Sequence, residues 1–299
     1  MKKSIIYILI SAILFSTMEV VLKLAGNQLD AFQITFIRFL IGGLFLLPFA
    51  IGDIKKTNLK ITRKDFLHML LMGIVCICIS MVFFQLGVEN SNASTAAVIF
   101  CTNPMFTMLF AHFMTEEKMN KQKSIALAIG LIGILFMMNP FNMAPGNTPL
   151  GITYTLLAAL TFGLYSAMGK ISIHKLGGLT QTSISFIIGS IVMLPILLIL
   201  EKPILSGIAV DNILVILYIG VMVTGIAYLS YFMIMKESDA ATASIVFFIK
   251  PAIAPIFAVI LLREVIGING ILGIVLILAG SYINLREQKV KKESLNEQN

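Results

Sequence analysis

The chain predicts an all-α membrane protein in which ten transmembrane helices form two five-helix repeats of inverted topology, with both termini cytoplasmic. Three observations carry that prediction: an apolar composition, an internal repeat, and a one-sided distribution of positive charge. Of 299 residues, 58% are hydrophobic and 12% charged, and the mean hydropathy is +0.95. A soluble domain of this length cannot hide so much apolar surface from water, which leaves a lipid-embedded fold. The net charge of +7 does not point to nucleic acid, because the basic residues sit in short segments between apolar runs rather than on one exposed patch.

A fixed offset of 147 residues lays the first half of the chain on the second without a gap. Lys23 meets Lys170, Gly42 meets Gly189, Pro48 meets Pro195 and Gly73 meets Gly220. Further on, Phe100 meets Phe247, Pro104 meets Pro251, Glu117 meets Glu264 and Gly133 meets Gly280. Repetition of this length sets the architecture before any single element is assigned.

Helical spans need about 20 apolar residues each. The hydropathy pattern predicts spans over 4–25, 31–51, 66–88, 92–114, 123–140, 150–172, 179–200, 211–235, 239–262 and 265–285. The repeats therefore occupy 1–140 and 150–285, and 286–299 forms a charged tail that is expected to be mobile. Met1-Lys2-Lys3 followed by apolar residues imitates a signal peptide, but no small-residue cleavage site follows, so the segment reads as an uncleaved first helix.

With the N-terminus inside, seventeen Lys and Arg residues fall in inner segments and only Lys23, Lys202 and Arg263 in outer ones. That bias puts both termini in the cytoplasm. Five is an odd number of crossings, so the second repeat starts from the opposite side and runs inverted, an arrangement from which transporters are commonly built.

An ionisable group in hydrocarbon is costly and needs a partner, so each one inside a span is a candidate site residue. Glu19 lies roughly 9 Å below the outer end of helix 1 at 1.5 Å per residue. Arg38 lies at a matching depth in helix 2, which predicts a Glu19–Arg38 pair. Lys23, one turn above Glu19, offers a second means of neutralising it. Two readings of Arg38 stay open, a structural pair tying the two helices or part of the site. An acid such as Glu19 facing a cavity can carry a coupling proton or bind an amine.

Lys250 lies near the middle of helix 9, and its repeat mate is Asn103. Each precedes a proline, and proline cannot donate to the carbonyl four residues back. Pro104 and Pro251 thus free the carbonyls of Phe100 and Phe247, putting polar groups at related positions near mid-membrane. A cation there suits a carboxylate- or phosphate-bearing ligand. Gln85, Tyr228, Tyr165, Tyr231 and Ser230 add polar tips that line a cavity or sit at the headgroup boundary. Glu117 and Glu264 lie just past helices 4 and 9, where they are expected to cap helices 5 and 10, with gating as the second reading.

Cys76, Cys78 and Cys101 read as small core residues, and the three histidines lack ligand-spaced neighbours, so neither a metal site nor a cofactor is expected. Small residues Ala126, Gly130 and Gly133 in helix 5, with Gly270, Gly273 and Gly280 in helix 10, permit close contact within the monomer or across a homodimer.

Ile37-Arg38-Phe39-Leu40 followed by Leu46-Leu47-Pro48, the small-residue openings Ala93–Ala97 and Ala240–Ser244, and the endings at Glu117 and Leu262-Arg263-Glu264 together resemble the EamA group of the drug/metabolite transporter superfamily. The resemblance covers roughly residues 5 to 285. It implies a secondary active transporter in the cell membrane, often exporting amino acids or related small metabolites, with its cavity between helices 1, 3, 4, 6, 8 and 9. A membrane enzyme is the competing class, but the chain offers no nucleophile–base pair or phosphate loop. A sensor or scaffold is another, and it does not call for charges near the midplane.

Overall fold

The computed structural model describes residues 2–26, 29–116, 119–139, 143–237 and 240–296, with side chains for 5–26, 29–116, 119–137, 139, 143–234, 246–247 and 249–283. The elements among them are helices: α1 (Lys2–Gly26), α2 (Ala31–Thr57), α3 (Arg63–Glu89), α4 (Ala93–Met114), α5 (Lys121–Met138), α6 (Pro149–Leu176), α7 (Gly178–Ile199), α8 (210–237), α9 (Ala240–Leu262) and α10 (Ile268–Asn296). Seven of them are long and apolar enough to cross a membrane, namely α1–α4 and α6–α8, and the described parts of α9 and α10 are shorter apolar helices.

Local chemistry sets the helix ends. Asp30 caps α2 by accepting from Phe32 N at 2.9 Å, and Asn120 caps α5 by accepting from Lys123 N at 2.9 Å. Thr148 caps α6 through Gly151 N at 3.0 Å, with Pro149 in the first turn where its missing N–H costs nothing. Thr62 and Asp65 form a reciprocal capping box at the start of α3. Asn58 and Asn139 end α2 and α5 in the left-handed conformation that asparagine tolerates. Beyond residue 285 the backbone of α10 stays helical to Asn296. The Arg-Glu-Gln-Lys stretch there is rich in good helix formers.

The repeat reappears in the helix starts. Those of α2, α3, α4 and α5 are 147 residues before those of α7, α8, α9 and α10. Both α3 and α8 widen into a π-helical segment, Ile74–Met81 and Tyr218–Ile226, and these overlap under the same offset. Mates run antiparallel. Gln33 near the start of α2 donates to the carbonyls of Ile204 and Ser206 beyond the end of α7, whereas Gly43 accepts from Ser183 near the start of α7. Gly133 lies against Gly273 while Gly280 lies against the Ala126 carbonyl, so α5 and α10 also oppose each other. The second repeat is inverted relative to the first, and the small-residue stripes of α5 and α10 meet each other within the chain.

The repeats interdigitate rather than stand side by side. α1 packs on α8 and α9, and its mate α6 packs on α3 and α4. α2 and α7 pair across the pseudo-twofold axis, where the mates Phe39 and Phe186 touch edge to face at 4.7 Å. Glycine permits the closest crossing. A Cβ on Gly73 would stand 2.5 Å from the Ser185 carbonyl oxygen, and one on Gly189 would stand 2.6 Å from that of Gly73.

Candidate functional site

Aromatic rings from both repeats frame a chamber about the pseudo-twofold axis. Phe15 of α1 stacks on Phe247 of α9 at 6.2 Å, and their mates Phe162 of α6 and Phe100 of α4 meet at 5.2 Å. Tyr228 stands edge-on to Phe15 at 5.1 Å and to Phe186 at 5.3 Å. Met18, Met81, Arg38 and Lys250 join the lining. In this conformation the free space between these side chains admits water but no metabolite.

Charge enters this frame from one side. Lys250 Nζ lies 2.6 Å from Glu19 Oε1, and the two side chains are 3% and 1% exposed. The pair bridges the repeats, because α1 belongs to the first and α9 to the second. Glu19 Oε2 has no hydrogen-bond partner among the described residues. The Lys250 ammonium also faces the Phe100 ring at 5.5 Å, a cation–π contact with the repeat mate of Phe247.

The expected Glu19–Arg38 pair does not form. Arg38, 2% exposed, directs one terminal nitrogen to Met81 Sδ at 3.2 Å and the other to Met18 Sδ at 3.7 Å, and its guanidinium carbon is 4.4 Å from the centre of the Phe39 ring. Its Nε has no partner among the described residues. The reason is lateral: α1 barely touches α2 and packs on α9, so equal depth does not bring Glu19 to Arg38. Lys23 does not neutralise Glu19 either, since its Nζ donates to the Ser91 carbonyl at the end of α3.

Asn103 and Gln85 are buried and turned to backbone. Asn103 Nδ2 donates to the Phe100 carbonyl at 2.7 Å, the carbonyl that Pro104 frees. α4 is interrupted there, into Ala93–Phe100 and Asn103–Met114. Its mate α9 runs unbroken past Pro251 and Pro255. The two proline sites therefore differ, although the sequence pattern treats them alike. Gln85 Nε2 donates to the Leu22 carbonyl at 3.3 Å and to Glu89 Oε1 at 3.1 Å, outside the chamber. Of the polar residues singled out above, Lys250, Arg38 and Tyr228 line the chamber and Glu19 joins it through Lys250.

Glu264 does not cap α10. Its carboxylate accepts from Ala93 N at 2.6 Å, Ser94 N at 3.0 Å and Ser94 Oγ at 2.5 Å, which caps α4 in the other repeat. Glu117, expected to cap α5, lies outside the described residues. Reading polar groups one by one missed the ring frame. The offset carries a signal for it, because Phe15, Phe39 and Phe100 all land on phenylalanines.

The EamA-like transporter family matches the chain twice, over residues 2–139 and 149–286. An uncharacterized transporter of Clostridium kluyveri is 41% identical over 97% of this chain and 95% of its own length. One from Bacillus subtilis is 25% identical, covering 89% and 90%. An S-adenosylmethionine uptake transporter of Rickettsia prowazekii is 29% identical over 64% of this chain and 63% of its own length. A crystal structure at 16% identity superposes with a TM-score of 0.67, covering 95% of each chain, which supports the fold. With the family spanning both repeats and the relatives being transporters rather than enzymes, this multi-pass protein of the cell membrane is a transporter and belongs to the EamA-like transporter family.

Proposed function

We propose that the protein is a secondary active transporter that exports a small carboxylate-bearing metabolite by alternating access. The observation that carries this reading is the buried Glu19–Lys250 pair, set between two inverted repeats beside a guanidinium that pairs with no carboxylate among the described residues. Among the described residues, two cations face one anion there. Burying an unpaired charge is costly, so a solute carboxylate would supply the missing partner and meet the donors of Arg38 or Lys250 in charge-assisted bonds. The S-adenosylmethionine named for one relative also carries a carboxylate, which fits this chemistry.

In the proposed cycle all ten helices cross the bilayer and both termini are cytoplasmic, an orientation supported by seventeen inner basic residues against three outer ones. Solute binding exchanges for the Glu19–Lys250 contact, and protonation of Glu19 lets Lys250 leave it. Tyr228 and the ring frame hold the solute's apolar part. Asn103 acts on the site through the break in α4, because it fixes Phe100 against Lys250.

A thermal-shift screen of the purified protein against amino acids, organic acids and nucleosides identifies the ligand, since binding stabilises the native state by mass action. The resulting ligand is then followed in proteoliposomes carrying a pH gradient. Glu19→Gln should remove the dependence on that gradient, and Lys250→Met should abolish binding. Full gradient dependence in Glu19→Gln overturns the coupling role, and unchanged affinity in Lys250→Met overturns the seat.

A further inference from the structure

The first half of α4 is a short rod held at both ends. All eight positions of Ala93–Phe100 are buried. At its start sits the Glu264 carboxylate from the other repeat, bonded to two backbone N–H groups and the Ser94 hydroxyl. A carboxylate there satisfies free N–H groups and lies favourably in the field of the helix dipole. At its far end the helix is interrupted at Cys101 and Thr102. The Thr102 hydroxyl turns back to the Ile99 carbonyl at 2.6 Å, and the Asn103 amide to that of Phe100 at 2.7 Å. The Ile99 carbonyl also accepts from Thr102 N at 3.0 Å, and the Phe100 carbonyl is the one that Pro104 frees, so side chains of the turn satisfy both and the break is built in. Phe100, the last residue of the rod, faces the Lys250 ammonium.

We propose that Ala93–Phe100 is a gating strut: Glu264 latches its free end to the second repeat, it turns about Cys101–Thr102, and its movement carries Phe100 onto or off the Lys250 ammonium. Glu264 follows the last turn of α9 and the strut opens α4, so any parting of the repeats at this end breaks the latch. The unbroken α9 has no equivalent turning point, which puts the hinge in one repeat only. The strut rests on the alternating-access reading, but it concerns which element moves and not which solute is carried.

Cys101 reports the movement, because it is 1% exposed and lies within electrostatic reach of Lys250 and Glu19. In a Cys76→Ala/Cys78→Ala background it is the single thiol, and its alkylation by a water-soluble maleimide is followed in detergent without any solute. Glu264→Gln keeps the shape of the latch and removes its charge, and it should speed labelling about tenfold, as expected for loss of charge-assisted bonds. Ser94→Ala removes one bond and should speed it about threefold. A Met69→Cys thiol in a cysteine-free background, on α3 and fully buried, should stay unlabelled in both variants. An unchanged Cys101 rate in Glu264→Gln overturns the strut. A parallel rise at Met69→Cys does so too, because it marks general loosening. If Glu264→Gln does not fold, Ser94→Ala decides by the same criteria. Loss of binding in Lys250→Met with an unresponsive Cys101 would remove the strut and leave the transport reading standing.

Discussion

The α1–α9 pair and its repeat mate, the α6–α4 pair, occupy related positions and do different work. In the first, Glu19 meets Lys250 in a buried ion pair. In the second the same positions hold Ser166 and Asn103, and Asn103 bonds to its own helix. The aromatic frame around both is shared, with Phe15 on Phe247 answered by Phe162 on Phe100. Agreement between the halves thus marks the scaffold, and disagreement marks the chemistry. The same rule covers Arg38, whose mate is Ser185.

The largest expected effect comes from breaking the charged pair. Lys250→Met strands a buried carboxylate and should destabilise the protein by about 3–5 kcal/mol, with Glu19→Gln in the same chain recovering most of the loss. Ser166→Ala at the mate of Glu19 should change stability by no more than about 0.5 kcal/mol. Unfolding titrations in detergent compare the three, and equal losses at Lys250 and Ser166 would erase the distinction. Next comes the broken helix. Asn103→Ala exposes the Phe100 carbonyl to an apolar surround and should cost about 1–3 kcal/mol by the same titration.

Glycine crossings sharpen the comparison at smaller scale. At Gly73 an added methyl meets backbone, whereas at its mate Gly220 it meets the Ile41 side chain at 2.7 Å. Gly73→Ala should therefore cost about 1–3 kcal/mol, and Gly220→Ala less, because a side chain can yield where a carbonyl cannot. Smallest is the exposed Lys175–Asp65 contact at 2.5 Å. Lys175→Met should cost under about 1 kcal/mol, and less at high salt, since solvent screens such pairs.

Much of this fold was legible in the sequence because repetition and apolar run length act along the chain. The offset of 147 residues located related helix starts, and the prolines marked where α4 breaks. What escaped was lateral. Depth from a helix end is one coordinate, and it matched Glu19 to Arg38 without revealing that α1 lies against α9. Chain adjacency likewise assigned Glu264 to α10, whereas the inverted repeats interleave and deliver it to α4. Identical Asn-Pro and Lys-Pro placement did not foretell that one helix breaks and the other continues. In α4 the short Asn103 amide reaches back to the freed carbonyl, while in α9 the Lys250 ammonium is drawn off to Glu19.

The most direct test of the account is affinity at the symmetry-breaking positions, measured by titration calorimetry with the ligand that the thermal-shift screen identifies. Lys250→Met should weaken binding at least about tenfold, the loss of one charge-assisted contact, while Ser166→Ala stays within about twofold. Unchanged affinity at Lys250, or an equal loss at Ser166, would contradict it.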